Sequence, residues 1–109
     1  MKRGDVVVTV FPGEFGKPRP GLIVQTDLLN PTHRTVLMAI ITTDISGAPY
    51  RLSLAPSEAT GLRQQSEVRL DQVFAVPVRK VGQIAGAIDR ATQELIDELL
   101  ALVLGLHAR

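Results

Sequence analysis

Residues 66–78 read SEVRLDQVFAVPV, and this segment decides the fold class that the sequence predicts. Apolar residues alternate at Val68 and Leu70, and the alternation resumes out of phase at Val73. Strict alternation is typical of a strand with one buried face, and a shift of phase near Asp71 is typical of a bulge or bend. We therefore predict one bent strand, or two short ones, of the kind that forms the corner of a small barrel.

Five further segments carry strand patterns bounded by turn residues. Runs of aliphatic and β-branched residues between Pro, Gly and Asn predict strands at 5–10 (DVVVTV), 21–27 (GLIVQTD), 35–43 (TVLMAIITT), 50–54 (YRLSL) and 81–86 (VGQIAG). The third run is almost continuously apolar, so we expect that strand to be buried on both faces. The fourth is expected to be short and peripheral.

The C-terminal segment has the pattern of a helix. Asp89 is a suitable N-cap, residues 90–104 are predicted to be helical, and Gly105 is predicted to end the helix. A leucine stripe at helical spacing is formed by Leu95, Leu99, Leu102 and Leu106. Other apolar residues widen this stripe beyond one face, which predicts contact with a partner as well as with the barrel. The fold class is therefore mainly β, a small bent antiparallel barrel or half-barrel with a terminal helix.

Composition limits the number of domains and the kinds of site. A chain of 109 residues with 45% hydrophobic content predicts a single domain over 1–109. The absence of cysteine excludes disulfides, zinc–thiolate sites and cysteine nucleophiles. Three Phe, one Tyr and no Trp are a poor supply for a platform on which bases stack. No apolar run approaches the roughly 18 residues of a membrane span and no signal peptide is visible, so we expect a cytoplasmic protein.

Charge and titratable residues give few candidates for catalysis. The chain has a formal charge of +1, and its first 88 residues hold ten basic and seven acidic residues, which favours anionic partners. His33 and His107 have no partner at the spacing of metal ligands, so both are interpreted as solvent-exposed and no metal site is predicted. Glu67 and Asp71 are interpreted as part of a solvated face rather than as a catalytic pair of carboxylates.

Residues 13–20, GEFGKPRP, form the one loop that calls for an explanation. Each proline restricts the residue before it to extended geometry, so Lys17 and Arg19 are presented from a stiff backbone. A guanidinium held in this way is preorganised for phosphate, because its planar donors match two oxygens at once. The alternative is an ordinary proline-stiffened strand start with two exposed cations, and the residues alone leave both interpretations open.

Several segments together resemble the MazF/PemK family of toxin ribonucleases. They are the lead KRGDVVV, the pattern G-E-x-x-x-x-R-P, the strands GLIVQTD and AIITT, the segment SEVRLDQV, the later VGQI and the leucine-rich C-terminal helix. Each is short, but they occur in the family's order and cover the chain from Lys2 to Leu106. The resemblance implies a homodimeric SH3-like barrel and metal-independent cleavage of single-stranded RNA without a cofactor. It also implies a cognate antitoxin that occupies the RNA groove.

The resemblance also implies roles for particular residues. Arg19 matches the family's arginine at the scissile phosphate, and Thr42 matches its threonine that stabilises the phosphorane. Residues implied to bind or line the RNA are Glu14, Lys17, Ser66 and Gln72. The loop before Arg19 is shorter than in other members and carries Phe15 where a polar residue is usual, which affects the expected sequence preference.

Two other functions compete with RNA cleavage. One is a CcdB-like gyrase poison with the same barrel, although this chain lacks the terminal tryptophan of that kind of protein. The other is an SH3-like module that binds nucleic acid without catalysis. Cleavage without a metal needs a group that holds the extra negative charge of the transition state. Arg19 suits that role better than proton transfer, because its pKa lies above about 12.

Overall fold

Aliphatic alternation folds this chain into one six-stranded antiparallel sheet followed by a helix. The computed structural model describes residues 1–13 and 16–106. The strands are β1 (Asp5–Val10), β2 (Pro18–Ile23), β3 (Thr35–Thr42), β4 (Arg51–Leu54), β5 (Ser66–Pro77) and β6 (Val81–Ala87), and the helix is α1 (Arg90–Val103). A short 3-10 helix, Val78–Lys80, joins β5 to β6. The strand order is β4-β5-β3-β2-β1-β6. The predicted class, mainly β with a terminal helix, is confirmed.

The barrel is not closed, so the sheet has the half-barrel form of the two that the sequence predicts. β4 and β6 are the two ends of the strand order, and the ladders of the described chain do not join them. β4 has only four residues, and the loop that follows it lies against β6 in place of a strand. The Ala87 N–H donates to the Ala59 carbonyl oxygen at 2.8 Å. Gly86 allows this approach, because a Cβ there would collide with the same carbonyl.

Each face of the sheet carries its own hydrophobic cluster. The helix face is the side on which Val6, Leu22, Ile41 and Val68 pack with Ile96 of α1. The second face is the side that carries Val7, Phe11, Ile23, Met38, Ile40 and Val76. Because successive strand residues point to opposite faces, these clusters fix the face on which each polar strand residue lies.

The boundaries predicted for β2, 21–27, are wrong at both ends. The strand begins at Pro18 because Pro18 and Arg19 pair with Val10 and Thr9 of β1. Pairing with β3 starts only at Gly21, which is consistent with prolines that have no N–H to donate. The strand ends at Ile23 because side chains then take over the backbone pairing. Gln25 is buried, and its Oε1 accepts from the Leu37 N–H at 3.3 Å.

The bend predicted in 66–78 is confirmed. β5 runs unbroken through it, but its register against β3 jumps from Arg69 opposite Ile40 to Val73 opposite Ala39. The residues between them, 70–72, form the bulge. β3 is buried on both faces only from Met38 to Ile41, since Leu37 is exposed. β4 is a short edge strand, as expected.

The helix has the predicted caps and packs with one side only. Asp89 accepts a hydrogen bond from the Thr92 N–H at 2.8 Å. Gly105 adopts a φ of +74° beyond the last turn, and the Leu106 N–H returns to the Ala101 carbonyl, as in a Schellman motif. Ile96 is buried, whereas Leu95 and Leu102 are exposed. Within residues 1–13 and 16–106, no helix is long and apolar enough to cross a membrane.

Candidate active site

A row of polar side chains crosses the second face where β1, β2, β3 and β5 lie side by side. Arg19 pairs with Thr9 in the β1–β2 ladder, and Thr42 pairs with Glu67 in the β3–β5 ladder. The β2–β3 ladder ends at Gly21 opposite Ile40. Extending that register by two residues sets Arg19 across from Thr42. Alternation places all four polar residues on the second face.

Arg19 lies inside β2, although the sequence placed it in a loop. Its strand neighbours are Pro18 and Pro20, so the backbone that carries it is extended and stiff. The residue is partly buried rather than fully exposed. A guanidinium fixed in a strand can hold an anion with little loss of side-chain entropy. Both sequence interpretations, a rigid cation and a proline-stiffened strand start, agree with this placement.

Thr42 is the last residue of β3 and is partly buried. Its Oγ1 accepts a hydrogen bond from the Asp44 N–H at 3.1 Å. A hydroxyl has one proton and two lone pairs, so this bond leaves the proton available to an acceptor on the second face. The end of a rigid strand is a more accurate platform for a donor than a loop.

Glu67 is buried, which corrects its interpretation as part of a solvated face. Only 1% of the residue is exposed, and its carboxylate accepts from the segment just after Thr42. The Gly47 N–H donates at 3.0 Å, the Ser46 hydroxyl at 3.0 Å and the Ser46 N–H at 3.2 Å. Burial by itself would raise the pKa of Glu67. The hydrogen bonds from Gly47 and Ser46, with the nearby charge of Arg51, hold that pKa below its ordinary value.

Asp71 is exposed, as expected, and also belongs to an ion-pair network. Arg51 donates to it through Nε at 3.1 Å and Nη2 at 3.0 Å. The same guanidinium lies 3.5 Å from the Glu67 carboxylate. The side-chain hydrogen bond from Arg51 is the main reason that the pKa of Asp71 is lowered. Arg51 therefore ties edge strand β4 to two carboxylates of β5.

Sequence reasoning missed Arg69 as a candidate. It lies on the second face beside the polar row, in the position that pairs with Ile40. Its Nη1 donates to Gln72 at 3.3 Å and its Nη2 lies 3.6 Å from Asp44, while its Nε is buried without a hydrogen-bond partner among the described residues. Only alternation could have pointed to it, because Arg69 lies two residues after Glu67 and therefore on the same face of β5.

Of the other predicted site residues, some lie near Arg19 and Thr42 and others do not. Lys17 is exposed immediately before β2, close in sequence to Arg19. Gln72 lies in the bulge, where it accepts from Arg69. Ser66 is buried on the helix face, its hydroxyl donates to the Gln64 carbonyl at 2.9 Å, and it is therefore not brought together with Arg19. Glu14, like Phe15 and His107, lies outside the described residues.

The described residues contain no group of three or more His, Asp or Glu side chains placed to hold a metal ion. His33 is exposed in the turn before β3, as expected. The arrangement on the second face therefore consists of cations, a hydroxyl and a buried carboxylate. Fixed cations and a hydroxyl donor can stabilise negative charge that develops on a phosphate.

The chain is similar to proteins that are named as endoribonucleases. The chain is 31% identical over 107 residues to a probable endoribonuclease MazF of Mycolicibacterium smegmatis, covering 97% of this chain and 98% of that protein. It is 28% identical over 112 residues to the endoribonuclease EndoA of Bacillus subtilis, covering 97% and 96%. A solved endoribonuclease from a mycobacterial species, in complex with its cognate antitoxin, superposes with a TM-score of 0.85 at 25% identity and covers 100% of this chain and 99% of that one.

These similarities, with the open sheet and its row of polar residues, define the class as toxin endoribonucleases. The chain belongs to the PemK-like, MazF-like toxin family of type II toxin–antitoxin systems, whose sequence model matches residues 2–104.

Proposed function

We propose that this protein is the toxin of a type II toxin–antitoxin pair and that it cleaves single-stranded RNA without a metal. The observation that carries the proposal is the placement of Arg19 and Thr42 on one face, at neighbouring positions of β2 and β3. Its class of activity is supported by family membership and by two relatives named as endoribonucleases.

In the proposed reaction the ribose 2′-oxygen forms a bond to the adjacent phosphorus as the bond from phosphorus to the 5′-oxygen breaks. The 2′-hydroxyl proton passes to water and the 5′-oxygen takes a proton from water, which leaves a 2′,3′-cyclic phosphate and a 5′-hydroxyl. The pentacoordinate transition state carries extra negative charge on its equatorial oxygens. Arg19 remains protonated and stabilises that charge through its planar donors. Thr42 donates its hydroxyl proton to one of the same oxygens, since its lone pair is already engaged by the Asp44 N–H.

Substrate binding involves residues around this centre. Lys17 precedes Arg19 on the same stiff segment and supplies a second cation for the RNA backbone. Gln72 projects from the bulge of β5 and offers hydrogen bonds to base edges. Glu14 and Ser66 stay predictions for the same role. Ser66 is the weaker of the two because its hydroxyl is buried and engaged.

The protein acts as a homodimer in this proposal. Leu102 is 54% exposed in α1, and Leu106 is 65% exposed just beyond the end of the helix. Exposed leucines in a stripe of this kind are typical of an interface, because burying them removes apolar surface from water. The proposed partner is a second copy of the chain, because a two-fold interface buries the same surface of both copies.

A cognate antitoxin is the second partner, and the cytoplasm, where RNA is available, is the proposed place of action. A cationic face open to RNA also suits a segment rich in carboxylates that folds on binding. The antitoxin should therefore compete with RNA. A partner that binds tightly and leaves cleavage unchanged would contradict this overlap.

One experiment separates this function from its two competitors. Purified protein is incubated with a long RNA in EDTA, and the new termini are mapped. Cleavage at a recurrent sequence with 5′-hydroxyl ends is expected, because 2′-hydroxyl attack releases the 5′-oxygen. RNA that is bound but intact would favour the non-catalytic module, and inhibition of gyrase without cleavage would favour the CcdB-like poison.

A further inference from the structure

The segment after Thr42 is held in place by a buried carboxylate that lies opposite Thr42 in the sheet. Glu67 pairs with Thr42 across the β3–β5 ladder, and its oxygens accept from Ser46 and Gly47. Thr42 in turn accepts from the Asp44 N–H. Hydrogen bonds therefore hold the loop 43–47 at both ends: Thr42 accepts near its start, and Glu67 accepts at its end.

Burial of a carboxylate is unfavourable unless every oxygen finds donors. Glu67 is 1% exposed, and the donors it finds are mainly the amides and hydroxyl of residues 46–47. Gly47 adopts a φ of +72°, a conformation that favours glycine, and its N–H donates to the carboxylate at 3.0 Å. The conformation of this loop therefore depends on a charged acceptor at position 67.

We propose that Glu67 is a positioning residue that orients the Thr42 hydroxyl through the loop 43–47, which deepens the proposed RNA cleavage and rests on it. With the loop fixed, the Asp44 N–H occupies one lone pair of Thr42 Oγ1 from a constant direction. The Thr42 proton is then directed toward the second face, where the phosphate lies. Glu67 touches no reacting atom in this role.

Arg51 stabilises the same arrangement from the other side. Its guanidinium lies 3.5 Å from Glu67, and its Nη1 donates to the Ser46 hydroxyl at 3.1 Å. That hydroxyl donates in turn to Glu67 at 3.0 Å. The loop, the carboxylate and the arginine form a closed set of charged hydrogen bonds, which are the stronger kind.

The decisive variant is Glu67→Gln, which keeps the shape but replaces one acceptor oxygen by an NH2 group facing other donors. Single-turnover cleavage of a short RNA that contains a mapped site should slow by about tenfold or more, with KM changed less than about twofold. Amide hydrogen exchange at Ser46 and Gly47 should become faster. Asp27→Asn is the matched control, because Asp27 also fixes a turn, by accepting from Arg3 and Asn30, and should leave the cleavage rate unchanged.

A double-mutant cycle distinguishes positioning from general structure. In a Thr42→Ala background, Glu67→Gln should cause no further loss of rate. An equal loss in both backgrounds, or no loss in either, would overturn the proposal. If Glu67→Gln does not fold, Ser46→Ala takes its place, because it removes the hydroxyl that donates to the Glu67 carboxylate. It should slow cleavage less, and again only when Thr42 is present. A wild-type protein that cleaves no RNA would overturn the proposed function itself.

Discussion

Arg51 holds Asp71 with two parallel hydrogen bonds, Nε to Oδ1 at 3.1 Å and Nη2 to Oδ2 at 3.0 Å, across the β4–β5 ladder. This fork-to-fork contact is the strongest geometry available to an arginine and a carboxylate. Arg51 also lies over the ring of Tyr50, with Cζ 5.8 Å from the ring centre. The four-residue edge strand is therefore attached to the sheet by its first side chain as well as by its backbone.

Arg51→Ala should destabilise the fold more than the truncation of most other side chains at the surface. It leaves Glu67 buried without its cation and removes both bonds to Asp71. We expect a loss of about 2–3 kcal/mol in the free energy of unfolding, measured by urea titration. Arg90→Ala is the control, since its contact with Glu94 is fully solvated and should change stability by less than about 0.5 kcal/mol. Equal stability of the two variants would show that the network contributes nothing.

Stability should fall in acid because several carboxylates have lowered pKa values in the folded protein. Hydrogen bonds from Arg51 lower the pKa of Asp71 from 3.8. Those from Gly47 and Ser46 outweigh burial and lower the pKa of Glu67 from 4.5. As pH falls, the unfolded chain binds these protons first. The contribution of the two carboxylates to the free energy of unfolding is therefore complete above their pKa values in the unfolded chain. It is lost as pH falls through their pKa values in the folded protein. Urea midpoints measured from pH 7 to pH 3 should decrease, and Asp71→Asn should flatten the curve. A midpoint that rises in acid would contradict the assignment.

The parts of the fold that follow from local pattern could be predicted, and the parts set by neighbours could not. The Asp89 cap, the Gly105 stop and the bulge before Val73 each depend on a few adjacent residues. The start of β2 does not, because Pro18 is acceptable in a strand only where no neighbour needs its N–H. Here β3 pairs with β2 only from Gly21 onward.

The candidate site shows the same division. Arg19 and Thr42 could be proposed from motifs, and the strand register then places them on one face. Glu67 could not, because alternation with Val68 assigns it to the other face, which in a half-exposed sheet means solvent. That face is covered by residues 46–47 folding back, and no sequence pattern encodes where a loop returns.

Arg19→Ala should abolish most cleavage activity. Loss of one preorganised donor at a developing oxyanion typically removes about 2–4 kcal/mol of transition-state stabilisation. Arg19→Lys should restore little, because a point charge does not replace the bidentate fork. The measurement is kcat/KM on a short RNA, with circular dichroism to check folding. Lys17→Ala is the comparison, since the loss of an exposed contact with the RNA backbone should change mainly KM. Full activity in Arg19→Ala would remove this residue from the mechanism.

The exposed leucines of the C-terminal segment should control assembly. Leu102→Lys with Leu106→Lys is expected to weaken the dimer by about tenfold or more for each leucine, because burial of such a side chain contributes about 1.5–3 kcal/mol. Sedimentation at micromolar concentration measures the change. Leu28→Lys is the control, because Leu28 is 88% exposed in a turn outside this segment. Wild-type protein that sediments as a monomer would contradict the proposed dimer.

Thr42 is the residue at which the hydroxyl and the methyl group can be tested separately. Thr42→Val keeps the branched shape that packs at the end of β3 and removes only the hydroxyl, so it should fold well and slow cleavage by about tenfold to a hundredfold. Thr42→Ser keeps the hydroxyl, and with it the acceptor for the Asp44 N–H, but its χ1 is less restricted. It should therefore retain part of the rate and lose more when Glu67→Gln is added. The readout is single-turnover cleavage with urea unfolding alongside. If Thr42→Val cleaves as fast as wild type while Thr42→Ser does not, the methyl group packs the site and the hydroxyl takes no part in the chemistry.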